Sequence, residues 1–141
     1  MNNGLKSTLL ITSICFVANV FLSLSAAAEE EAVMVTEKNL AMMPCKYVEK
    51  RIVTEANFMD VSTALLDDYH HDKHTQFDSR SYVNFRTIEE QLLRYFIHSS
   101  KADILPSLAE GDRIVITGVV TSCADQRPWV EVDSVIRAPN K

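Results

Sequence analysis

The stretch EGDRIVITGVVTSCADQRPWVEVDSVIRA, Glu110 to Ala138, decides how the rest of the chain is read. Glu110-Gly111-Asp112 is turn chemistry, because glycine takes positive φ freely and aspartate hydrogen-bonds its own backbone. From Arg113 the residues alternate as in a strand: Ile114, Ile116, Gly118 and Val120 face one way, Arg113, Val115, Thr117, Val119 and Thr121 the other. The first set reads as core, and a glycine inside so β-branched a run marks a bulge or a sharp bend. Thr121 to Pro128 is a polar connection. Trp129 to Arg137 is a second strand, with Val130, Val132, Ser134 and Ile136 expected on the core side and Trp129, Glu131, Asp133, Val135 and Arg137 on the other.

This hairpin resembles the last two strands of OB-fold domains, in which a GDxVxVxGxV strand precedes one of the xxEVDSI kind. The matching residues are Gly111-Asp112-Arg113-Ile114-Val115-Ile116-Thr117-Gly118-Val119-Val120 and Glu131-Val132-Asp133-Ser134-Val135-Ile136. The resemblance implies a mainly β fold with one helix: a small five-stranded barrel with the helix between strands 3 and 4. It spans about a fifth of the chain and carries no functional residues.

Upstream of the hairpin, Thr87 and Glu90 form a capping-box pattern. Ile88, Leu92, Tyr95, Phe96 and Ser99 follow at helical spacing, so a helix is expected from Thr87, in the place the OB resemblance gives it. Tyr82 to Phe85 is the firmest part of a strand from Phe77 to Phe85. Met59 to His71 suits a helix or a strand equally. Lys46 to Asn57 fits both periods, and the β-branched Ile52-Val53-Thr54 together with Pro44 favours a first strand.

Met1 to Ala28 reads as a secretory signal, with Lys6 in a short basic region, an apolar run from Leu9 to Leu24, and Ala26-Ala27-Ala28 at the cleavage site. Residues 29–43 are then a flexible lead-in with an acidic start, and residues 44–138 the OB-like domain. Cleavage leaves no membrane span and removes none of the 19 acidic residues, so the exported chain is more acidic than the −5 of the whole. The basic groove that holds nucleic acid in many OB-folds has no basic cluster to build it here, which argues against nucleic acid as a partner. Cys45 and Cys123 remain after cleavage, neither in a C-x-x-C nor close to a histidine, and an exported pair of this kind forms a structural disulfide. It would close a loop of about 77 residues, worth roughly 4 kcal/mol in the chain-entropy model.

Asp67 to His74, DDYHHDKH, is the one cluster of metal-ligand types, and His70 and His74 are its best pair, four residues apart. A solvated loop explains the same residues. Trp129, the sole tryptophan, shares a strand face with Glu131 and Arg137, and the three together are the candidate ligand-binding residues. An exposed aromatic there would stack on sugars or bases, or else cover the barrel against Leu105 or Leu108. No G-x-S-x-G elbow and no glycine-rich phosphate loop is present, and the pair Glu131 and Asp133 reads as a solvated face. The expectation is an exported, periplasmic or secreted, non-enzymatic OB-fold binding module without a cofactor, acting on a small ligand, a peptide or an envelope protein partner. The layout also resembles the B subunits of bacterial enterotoxins, with Cys45 near the mature start, Cys123 in the penultimate strand and Trp129 soon after. That likeness implies, as the alternative, a secreted glycan-binding subunit.

Overall fold

The computed structural model describes residues 31–62, 77–78 and 80–139. The expected signal peptide, residues 1–28, and the pair His70 and His74 lie outside the described residues. The architecture turns on β2 (Arg51–Ser62). From Arg51 to Asn57 it pairs antiparallel with β5 (Arg113–Ser122), and from Phe58 to Ser62 antiparallel with β3 (Tyr82–Thr87). A strand can serve two neighbours in this way only by bending, and the register slips between Phe58 and Asp60 where it does so. β3 pairs antiparallel with β4 (Arg94–His98), β4 parallel with β6 (Trp129–Arg137), and β6 antiparallel with β5. The order β2-β3-β4-β6-β5 therefore returns to β2 and closes a five-stranded barrel, with the short strand β1 (Val33–Met34) added parallel to β2. This is the OB-fold that the hairpin implied.

Alternation fills the barrel. Ile52, Thr54, Ala56 and Phe58 point inward from β2, and Ile114, Ile116 and Val120 from β5 as expected. They meet Phe85, Tyr95, Ile97, Val130 and Val132 from the other strands, each large side chain contributing about 1.5–3 kcal/mol by leaving water. Gly118 does sit at a bulge: Thr117 pairs with Ser134 and Gly118 with Val132, which leaves Asp133 as the extra residue. A Cβ on residue 118 would run into the Glu131 carbonyl and lie 2.9 Å from Val132 Cα, so the two strands approach this closely only because the side chain is missing. The extra residue also reverses the phase of β6. Val135 turns inward and Ile136, expected in the core with Ser134, stands 55% exposed.

The helix is not where the spacing predicted it. Residues 94–98, inside the expected helix, are β4, and the helix of this fold is α1 (Glu37–Met42), between β1 and β2. The periodicity misled because β4 is buried on both faces, and a strand covered on both sides loses its polar alternation. Thr87 does not cap a helix; its hydroxyl donates to Glu37. Residues 31–43, read as a flexible lead-in, carry β1 and α1, with Leu40 fully buried in the core. Between β4 and β5, 3-10 turns at Ser99–Lys101 and Leu105–Ser107 replace the expected helix, and Leu105 enters the core. Cys45 and Cys123 are bonded, with Cα atoms 5.1 Å apart, joining the 3-10 turn Pro44–Tyr47 to the end of β5.

Gly118→Ala should lower stability by about 1–3 kcal/mol in urea unfolding, the range for overfilling a packed site. An unchanged midpoint would mean that β5 and β6 are not in this register.

Candidate functional site

The side chains that face away from the core on β3, β4 and β6 are set by the same pairings. Across β3 and β4, Tyr82 lies opposite His98 and Asn84 opposite Phe96; across β4 and β6, Arg94 lies opposite Trp129 and Phe96 opposite Glu131. Val83, Phe85, Tyr95, Ile97, Val130 and Val132 all belong to the barrel interior. Tyr82, Asn84, Phe96, His98, Trp129 and Glu131 therefore share the outer surface.

On that surface the aromatic rings form a second, smaller cluster. Phe96 and Trp129 lie nearly parallel, 5.1 Å apart at 15°. Phe77 stacks on Phe96 at 4.3 Å and 7°, and its centroid is 6.3 Å from that of Trp129. Tyr82 presents its edge to Phe77 at 5.0 Å and meets the His98 ring edge-on at 5.4 Å. Phe77 and Phe96 are each 2% exposed and Trp129 5%. Such pairs contribute about 0.5–1.5 kcal/mol each beyond the area they bury.

The polar groups of this face are set among the rings. Tyr82 Oη donates to Glu131 Oε1 at 2.7 Å, and this bond to a carboxylate, with some desolvation, pushes the Tyr82 phenol up to about 12. Asn84 Nδ2 donates to the Tyr95 carbonyl at 3.0 Å, while its buried Oδ1 has no hydrogen-bond partner among the described residues. Such an acceptor is one that a donor from outside can satisfy. Asp133, next along β6, forms ion pairs with Arg51 at 2.9 Å and Lys101 at 3.8 Å.

Of the three residues expected to bind ligand, the structure brings two together. Trp129 and Glu131 share this face. Arg137 lies eight residues further along β6, about 26 Å at strand rise, where it is tied to Asp112 at 3.0 Å and to the Ser107 carbonyl. Trp129 packs on Phe96 and Phe77 and belongs to a different cluster from Leu105 and Leu108. Phe77, Tyr82, Asn84 and Phe96 were not anticipated as a surface. The available signal was Arg94-Tyr95-Phe96-Ile97, an aromatic and β-branched run of strand length inside a segment read as helical. Among the described residues no group of three or more metal-ligating side chains comes together.

No family model matches the sequence, and no curated relative is found. Among solved structures, the chain is similar to one described as a putative aspartyl-tRNA synthetase from Leishmania major Friedlin, with a TM-score of 0.50 and 6% identity over 81% of this chain. It spans 22% of that protein's length. A structure of yeast Stn1 and Ten1 aligns with a TM-score of 0.42 and 16% identity, covering 77% of this chain and 81% of that one. At such identities the likeness is one of fold. The expectation that nucleic acid is not a partner is corrected here, because the fold is shared with part of an enzyme whose name places tRNA among its substrates. The physical reason is that net charge is a sum over the whole chain and does not say what one face of the barrel can hold.

Phe77→Ala should move Trp129 emission to longer wavelength and lower stability by about 1.5–4.5 kcal/mol, the summed worth of the three ring pairs that Phe77 makes. Unchanged emission would mean that Phe77 does not cover this face.

Proposed function

We infer that the chain is an exported, non-enzymatic binding module of the OB type that takes a ligand able to lay a ring face on an aromatic side chain, on the outer face of β3, β4 and β6. The observation that carries this reading is the parallel pair Phe96 and Trp129 with the unmet acceptor of Asn84 beside it. β3 and β4 are the second and third strands of the barrel, the face on which OB-folds hold oligonucleotides and oligosaccharides. Phe77 supports the reading as well: a flat ring already rests on Phe96 in stacking geometry. A ligand ring reaches Phe96 by taking that place, and the Asn84 oxygen then receives an N–H or O–H from it.

Export is supported by the apolar leader ending at Ala26-Ala27-Ala28 and by the Cys45–Cys123 bridge, which suits an oxidising compartment. The absence from the sequence of a nucleophile elbow and of a glycine-rich phosphate loop supports a binding role over a catalytic one.

The test is a titration of the protein from Glu29 onward with a mixed-sequence single-stranded oligonucleotide and, separately, with neutral oligosaccharides, reading Trp129 emission. One of the two classes should give a saturable change. Phe96→Ala should then weaken binding at least about fivefold, since stacking of a ring is worth roughly 1–3 kcal/mol. No response to either class would overturn the reading.

A further inference from the structure

Glu37 is a charged residue type in a place where charge is disfavoured. It follows Thr36, whose Oγ1 accepts from the Asn39 amide at 3.2 Å and so starts α1. Its side chain turns into the barrel and is 4% exposed. There Glu37 Oε1 accepts from Thr87 Oγ1 at 2.7 Å and from Tyr95 Oη at 2.7 Å. Tyr95 is fully buried and stacks on Phe85 at 5.3 Å. A six-residue helix is too short to hold itself together in water, so between its tethers at β1 and at the Cys45 bridge α1 is held against the barrel by this contact and by Leu40.

Beside Glu37 lies a cleft of about 450 Å³ between α1, β2 and the β3–β4 turn. The ionisable groups around Glu37 are Lys38 on its own helix, Glu55 on β2, Arg113 on β5, Tyr95 on β4, and Glu89 and Glu90 on the turn. Arg113 is taken by Glu55 at 2.7 Å. Glu89 accepts from the Asn57 amide at 3.2 Å and from the Asn57 side chain. The two cations of this set thus face three carboxylates besides Glu37, and one of the two is already engaged. Burial pushes the Glu37 carboxyl up to about 7, Glu89 and Glu90 push the same way, and the two hydroxyls only partly offset them.

We propose that α1 is a pH-operated plug: with its carboxyl protonated Glu37 docks α1 on the barrel, and ionisation of Glu37 releases α1 and widens the cleft beside it. The sign follows from linkage. Glu37 holds its proton more tightly docked than free, so docking is strongest below the ordinary glutamate range and is lost progressively as pH rises toward about 7. The plug concerns a part of the molecule other than the aromatic face, and either can fail without the other.

The experiment is hydrogen exchange at about pH 5 and about pH 8, each amide corrected for its intrinsic rate. The Leu40 amide, which donates to the Thr36 carbonyl, should open at least about tenfold more often at the higher pH, while Ile116 and Val132 in the barrel stay unchanged. Glu37→Gln, neutral at every pH, should abolish the difference. Equal opening at both pH values, or the same increase in Glu37→Gln, would overturn the proposal. Should Glu37→Gln not fold, tryptic cleavage of the wild-type chain at Lys38 decides. A rate that rises with pH beyond that of an unfolded peptide of the same sequence supports the plug, and a matching rate rejects it.

Discussion

The barrel depends on β2 being paired on both sides along one continuous strand. Its first half belongs to β5 and its second to β3, and the changeover falls at Asn57 and Phe58. Two pieces of chain are fastened to it there by three hydrogen bonds. The Ile88 amide donates to the Asn57 carbonyl at 2.9 Å, Phe58 donates to the Asp112 carbonyl at 2.8 Å, and Gly111 donates to the Phe58 carbonyl at 2.8 Å. Gly111 manages this at φ 88°, where a side chain would be strained. At the other end of β2 the Glu49 amide reaches the Val120 carbonyl, and the Cys45–Cys123 bridge lies close by. The strand that must bend is thus held at its entry and at its bend.

How far this was legible in the sequence follows from which faces are covered. β5 has one face in the core and one outside, so Ile114, Ile116 and Val120 announce themselves by alternation. β6 begins the same way and then slips by one residue at Asp133. Gly118 signalled the bulge, but alternation carries no mark of which residue becomes the extra one, so Ile136 was placed on the wrong side. In β4, Tyr95 and Ile97 face the barrel while Phe96 faces Phe77 and Trp129, and a run apolar on both sides fits a helix as well as a strand. α1 was hidden for another reason. Six residues are under two turns, and the residue that plugs it into the barrel is a glutamate, which hydropathy assigns to water.

The same error hid most of the candidate site. With residues 87–99 read as a helix, Trp129 had no aromatic neighbour, only Glu131, Asp133, Val135 and Arg137 along its own strand. Once residues 94–98 form a strand parallel to β6, Phe96 and Trp129 are placed in adjacent rows, and Tyr82 reaches Glu131 across them. Glu131 and Trp129 were found because a single strand carries both. Asn84 and Phe96 come from other strands and are gathered only by the fold. The overall acidity, by contrast, was legible, but a net charge does not say where on the barrel the charges sit: Asp133 pairs with Arg51 and Glu55 with Arg113.

The parallel pairing of β4 with β6 is what makes the outer face a single surface, and magnetic resonance tests it most directly. Cross-strand contacts between the backbone protons of Tyr95 and Val130, and of Ile97 and Val132, should appear in the parallel register described. Contacts three residues apart running from Thr87 to Ser99, the signature of a helix, with none reaching β6, would contradict the account.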